Sequence, residues 1–334
     1  LILEKRTTAN KFSYFWSYQI IKFMKQSIQR ASEQIKNRAL KLGFLACGIS
    51  EAGFLTEEKS RLERWLETGM HGEMGYMDNH LEKRLDPRLL VENARSVVSV
   101  LLNYFPSGKQ ADPEAPVLSK YAYGTDYHFV MKDKLGELLQ FIQNEINACE
   151  GRCFVDSAPV LDRAWAVRAG LGWIGKNTNL ISTEHGSFFF IGELILDLEL
   201  PADSKVVHNH CGTCTRCLDA CPTNALAEPY VLDSRRCISY QTIENRGEID
   251  PDLNGEFENR VFGCDICQDV CPWNLKSEVH HEPAFVPDPK LMSLTKNEWH
   301  EMGKPLFNEL FRNSAVKRTR FEGLKRNLRF LENK

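Results

Sequence analysis

Eight cysteines lie between residues 211 and 271, and seven of them fall in two motifs. "CGTCTRCLDACP" carries Cys211, Cys214, Cys217 and Cys221, and "CDICQDVCP" carries Cys264, Cys267 and Cys271. Each motif ends in Cys-Pro. The spacing Cys-x2-Cys-x2-Cys-x3-Cys-Pro is that of bacterial ferredoxins, in which the fourth cysteine serves the other cluster of a pair. One [4Fe–4S] cluster then takes Cys211, Cys214, Cys217 and Cys271. The second takes Cys221, Cys264 and Cys267 and lacks one thiolate. Cys237, in "DSRRCISYQT", is the nearby candidate and completes eight ligands for two clusters. Zinc knuckles lack the x3-Cys-Pro arm. Cys47, Cys149 and Cys153 stay outside the set and read as buried free thiols. Such clustering argues for metal in a reducing compartment, the cytoplasm, rather than for disulfides. Two clusters with interleaved ligands make an electron wire. A wire needs a terminus, and a ferredoxin needs far fewer than 334 residues.

The candidate terminus lies in "FVDSAPVLDRAWAVRAGLGWIGKNTNLI", residues 154–181. Asp156 follows a hydrophobic strand end, where an aspartate is either a helix N-cap or an acid in an apolar pocket that raises its pKa. The glycine-rich loop 170–175 allows close approach of backbone to a flat or phosphate-bearing ligand, but it lacks a phosphate-loop or dinucleotide fingerprint. "YAYGTDYH", residues 121–128, is either a ligand wall or a turn between core elements.

These residues need elements to hold them. "FLACGIS" (44–50), "SVVSVLLNYF" (96–105), "CFVDS" (153–157) and "SFFFIGELIL" (187–196) are β-rich runs. Residues 131–148 place Leu135, Leu138, Leu139, Ile142 and Ile146 at helical spacing, a core-facing stripe. Residues 158–170 read as a second helix ending at Gly170. The fold class is α+β. Near residue 200 the texture changes to cysteine, proline and short elements. From residue 281 a Pro-rich connector and a short helical tail follow.

The composition is that of a globular protein, 43% hydrophobic and 26% charged, with a net charge of −3. Any nucleic-acid binding must therefore come from a local patch. Residues 312–334 supply one, with eight Lys/Arg against two Glu; phosphate contacts explain that excess better than a solvated helix face does. No apolar run approaches the ~18 residues of a membrane span. Residue 1 is leucine, and helical periodicity starts afresh at Met24. Residues 1–23 therefore read as an N-terminal extension without the layout of a secretory signal.

The four segments "YAYGTDYH", "VDSAPVLDRAWAVRAGLGWIGKNTNLI", "CGTCTRCLDACPTNAL" and "FGCDICQDVCPWN" together resemble the epoxyqueuosine reductases, in the family's order, over about residues 27–330. The resemblance implies a mixed α/β cobalamin-binding catalytic domain over 24–200, similar to that of reductive dehalogenases. It also implies a ferredoxin-like domain with two [4Fe–4S] clusters over 201–280 and a connector and basic tail over 281–334. It implies reduction of epoxyqueuosine to queuosine in a tRNA anticodon loop, with cobalamin as cofactor and Asp156 as proton donor. Tyr123, Asp126, Tyr127, His128, Arg163, Gly172, Trp173, Gly175, Lys176 and Asn177 match the family's cofactor and substrate surroundings. Many members continue into C-terminal helical repeats that help hold tRNA. Here that role falls to Arg312, Lys317, Arg318, Arg320, Lys325 and Arg326. An external flavodoxin- or ferredoxin-like donor, no membrane and a monomer are further implications. Two rival readings stand at this point. A reductive dehalogenase uses the same parts on a small organohalide, with a twin-arginine export signal not found in the chain as read. A nucleic-acid-binding protein with structural iron–sulfur needs only one cluster.

Overall fold

The computed structural model describes residues 29–203 and 207–332. The stretch read as an N-terminal extension, 1–23, lies outside them. One antiparallel sheet holds β1 (Ala46–Glu51), β2 (Ser96–Asn103), β3 (Gly151–Phe154) and β4 (Phe189–Leu196), in the order β1-β2-β4-β3. These strands are the four β-rich runs of the sequence. The central pair registers Ser96 with Leu196 through to Asn103 with Phe189.

Both central strands are apolar along nearly their whole length because each face is covered by a different layer. On one face Val98, Val100, Leu102, Leu194 and Leu196 pack against helix α1 (residues 29–41) and helix α3 (Tyr127–Phe141). On the other face Val97 and Ile195 meet Ala164 and Trp165 of helix α4 (Asp162–Arg168). Helix α2 (Thr56–Glu67) buries no residue. The stripe read from residues 131–148 lies on α3 and the π-turn Ile142–Ile146 that follows it, with Leu135, Leu138 and Ile142 buried. Gly192 lets this helix sit close to the sheet, since a Cβ there would lie 2.6 Å from Met131 Cε.

Two elements differ from expectation. The helix read over 158–170 begins only at Asp162. Ala158 precedes a proline and is thereby biased away from helical backbone, so residues 155–161 form a loop. The stretch read as connector and tail forms four helices: Pro289–Ser293, Lys296–Glu301, Lys304–Leu310 and Arg320–Glu332. Trp299, Phe307, Phe311, Val316, Leu324 and Leu328 share a core with Leu118, Ala122, Tyr123 and Phe262. No helix among the described residues is long and apolar enough to cross a membrane.

Candidate functional site

The two cysteine motifs fold alike. Each carries one short helical turn, Arg216–Asp219 and Ile266–Asp269, and the two turns pack against each other. Cys211, Cys214, Cys217 and Cys271 line one cavity of about 350 Å³. Cys237 sits at the N-terminal boundary of helix α5 (Ile238–Ile243), within electrostatic reach of Cys221, Cys264 and Cys267. Burial pushes the Cys264 thiol up to about 12, with Cys237 among the neighbours adding to it. Packed thiolates of this kind need a cationic centre to offset their repulsion, and metal ligation requires the deprotonated form. Among the described residues no group of His, Cys, Asp or Glu converges on a single ion. The outlying Cys47, Cys149 and Cys153 are free and half-buried, and burial holds Cys47 at about 12 and Cys153 at about 11.

Gly172, Trp173, Gly175, Lys176 and Asn177 are placed against the cysteine motifs and not on the large cavity, to which this loop contributes Ile174. Lys176 Nζ donates to the carbonyls of Gly212 (2.7 Å) and Cys214 (2.9 Å), and Asn177 Nδ2 donates to that of Cys267 (3.3 Å). Trp173 is buried edge-on between His210 and Trp273. Close packing accounts for the glycines: a Cβ on Gly172 would collide with the Ile181 carbonyl oxygen, and one on Gly175 with Asn177 and the Ile181 side chain. Tyr123 is also absent from the large cavity, because it belongs to the C-terminal core.

That large cavity, about 1730 Å³, receives Asp126, Tyr127, His128, Asp156 and Arg163 on one side. Its lining also includes Cys237. Asp126 caps α3, accepting from the His128 amide at 3.0 Å and facing its Nδ1 at 2.7 Å. Burial alone would raise the Asp126 pKa, but the hydrogen bonds from His128 outweigh it and hold the carboxyl below its ordinary value. The Tyr127 ring stacks on Phe190 of β4, 4.2 Å between centroids, which aims its hydroxyl into the cavity. That hydroxyl donates to Asp156 Oδ2 at 2.5 Å, and His128 Nε2 lies 3.7 Å from the same oxygen. Asp156 is no helix cap, since α4 starts six residues later. Its backbone sits at φ +50°, and its side chain is 67% exposed to the cavity. With Oδ2 occupied as an acceptor, Oδ1 is the oxygen free to carry a proton toward a ligand.

The basic residues divide. Arg312, Lys317, Arg318 and Arg320 are exposed and line the large cavity. Arg318 is held there by a bidentate pair with Glu244, at 2.6 and 2.8 Å. Lys325 and Arg326 are not part of that rim. Lys325 Nζ donates to the His300 carbonyl. Arg326, 8% exposed, donates to the carbonyls of Gln241 and Asn245 (both 2.7 Å) and Gly247 (2.6 Å). It closes the C-terminal end of α5 and has no donor left over for a phosphate lying outside.

Sequence reasoning missed the opposite wall. Arg61, Arg64 and Trp65 of α2, with Met70, Met74 and Met77 beyond it, line the cavity. A helix with the apolar stripe Leu62, Trp65 and Leu66 among charged residues, followed by three adaptable methionines in eight residues, was the available signal. Arg84 Nε and Glu58 Oε2, on the same cavity, are buried without a protein partner.

Two ferredoxin-type cysteine motifs beside a large cavity that also receives Cys237 and Asp156 define the class as an iron–sulfur oxidoreductase. Residues 210–274 match the 4Fe-4S double cluster binding domain, and residues 84–157 match the domain described as Epoxyqueuosine reductase QueG, DUF1730. Epoxyqueuosine reductase of Cellulophaga algicola is 57% identical over 91% of this chain and 99% of its own length. That of Escherichia coli is 39% identical over 87% and 78%. A crystal structure of epoxyqueuosine reductase with an epoxyqueuosine-modified tRNA-Tyr stem loop matches with a TM-score of 0.84 at 30% identity, over 91% of this chain and 81% of that one. The chain belongs to the epoxyqueuosine reductase family.

Proposed function

We infer that this chain reduces the epoxide of epoxyqueuosine to the alkene of queuosine in a tRNA anticodon loop. One observation carries the reading: Cys237, which we assign to the second cluster, lines the cavity that Asp156 enters. Electrons entering at the first group therefore leave at the substrate.

Cys211, Cys214, Cys217 and Cys271 hold one [4Fe–4S] cluster, and Cys221, Cys237, Cys264 and Cys267 the other; the clusters supply one-electron transfer. The large cavity also fits cobalamin. At about 1730 Å³ it exceeds the roughly 300–1,000 Å³ of ordinary small-ligand sites. It combines aromatic walls with the orphaned polar atoms of Arg84 and Glu58. Asp126, Tyr127, His128 and Arg163 would hold that cofactor, which supplies low-potential cobalt for opening the epoxide.

The protein's own part is binding, orientation and proton delivery. A single-stranded loop can splay one base into a cavity, and Arg312, Lys317 and Arg320 at its rim meet the phosphates. Tyr127 fixes Asp156 through Oδ2, so that Oδ1 presents the proton to the departing oxygen. Two electrons and two protons convert the epoxide into alkene and water. A flavodoxin- or ferredoxin-like donor supplies the electrons to a monomer in the cytoplasm.

Anaerobic reconstitution with iron, sulfide and cobalamin, then reduction with epoxyqueuosine-containing tRNA, tests this. Mass spectrometry of the nucleosides should show loss of one oxygen from the modified base. Cofactor loading and cluster reduction without that loss would overturn the substrate.

A further inference from the structure

Glu193 lies in the middle of β4, wholly buried, between Ser99 on β2 and Phe154 on β3. Strand alternation puts it on the same face as Ile195, the face covered by α4. Neither of its carboxylate oxygens has an N–H or O–H donor, and Asp162 Oδ1, at the start of α4, is equally without one. Neither guanidinium near Asp162 donates to its Oδ1. Arg84 donates to the Tyr76 carbonyl at 2.6 Å and Arg163 to that of Thr178 at 2.5 Å. The Ser99 hydroxyl is buried and also unpartnered. Its neighbour across the packing of α4 on β4 is the Asp162 carboxyl, close enough that the two groups act on each other's titration. Two carboxyl groups bond to each other only with a proton between them.

We propose that Asp162 and Glu193 form a proton-sharing pair that reloads Asp156 during turnover. The proposal rests on the reductase reading above. Asp162 and Asp156 line the same cavity. Opening an epoxide to alkene and water consumes two electrons, delivered by the clusters and cofactor, and two protons, yet Asp156 carries one proton at a time. Asp156 gives its proton to the leaving oxygen as the carbon–oxygen bond breaks. The resulting carboxylate takes the proton held between Asp162 and Glu193 and passes it to the same oxygen, which departs as water. The pair is refilled from solvent. Burial keeps the Glu193 carboxyl well above the usual range, with Asp162 and Asp156 adding to it, and burial raises Asp162 as well.

The test is infrared spectroscopy and kinetics on the reconstituted full-length enzyme. In mildly alkaline buffer the wild type should show a protonated carboxylic C=O band, lost in Glu193→Gln. Turnover in that variant should fall about 10- to 100-fold with KM for the RNA unchanged, and the alkaline limb of its pH profile should move to lower pH. Asp162→Asn should repeat both effects. Absence of the band in wild type, or its survival in Glu193→Gln, overturns the shared proton. Loss of the band with unchanged kcat and pH profile overturns the reloading step. A wild type inactive on the RNA removes the reductase reading and the reloading step with it, while the band still reports on the pair.

Discussion

Asp156 shows how one residue is held in place for the proton transfer proposed for it. A non-glycine residue at positive φ costs on the order of 1–3 kcal/mol and persists only where its surroundings enforce it. Here the enforcement comes from the Tyr127 hydroxyl bond and the Pro159 loop that delays α4. Asparagine tolerates the left-handed region, so Asp156→Asn tests the proton and not the backbone. That variant should bind iron and cobalamin normally, as absorption spectra would report, and lose about 10²-fold or more in turnover. Normal turnover would remove the acid role from Asp156.

At the scale of elements, the C-terminal helix, α6 (Arg320–Glu332), separates two kinds of positive charge. Arg326 is buried against α5 and satisfies three carbonyls at that helix's end. Arg326→Ala should therefore lower stability by about 2–4 kcal/mol, with a reduced Tm, and leave the salt dependence of RNA affinity unchanged. The paired change Arg312→Ala, Lys317→Ala should do the reverse. RNA binding weakens and the slope of log affinity against log salt falls by about one for each phosphate no longer neutralised, while Tm holds. A fall in Tm for the paired change would mean that these side chains are packed rather than poised.

For the whole molecule, the proposed joint between electron wire and cavity is Cys237, which lines that cavity. Its replacement by alanine should lower iron from about eight to about four atoms per chain. The remaining cluster stays reducible by dithionite in electron paramagnetic resonance, and turnover is lost. Unchanged iron with full activity would assign the fourth ligand elsewhere. The same scale explains the loop 172–177. By holding the carbonyls of both cysteine motifs through Lys176 and Asn177, it fastens those motifs to the segment that follows α4, the helix reached through the Asp156 loop.

Much of this was written locally in the chain. The strands of the sheet could be read because each is a compact apolar, β-branched run, and the α3 stripe because its period is that of a helix. The grouping of cysteines could be read because cluster ligation obeys short-range spacing. Other features depended on distant segments. Glycines at 172 and 175 announce a close approach without saying to what, and only the fold put Ile181 and Asn177 there rather than a cofactor. A run of Lys and Arg states its charge but not its facing, so Arg326 and Lys317 look alike until α6 docks. Glu193 is the lone acid in "FFFIGELIL", and Asp162, the acid it packs near, lies 31 positions away. Spacing and period are properties of a chain. Which groups share a cavity and which are desolvated together are properties of tertiary packing, and those decided where the chemistry of this protein can occur.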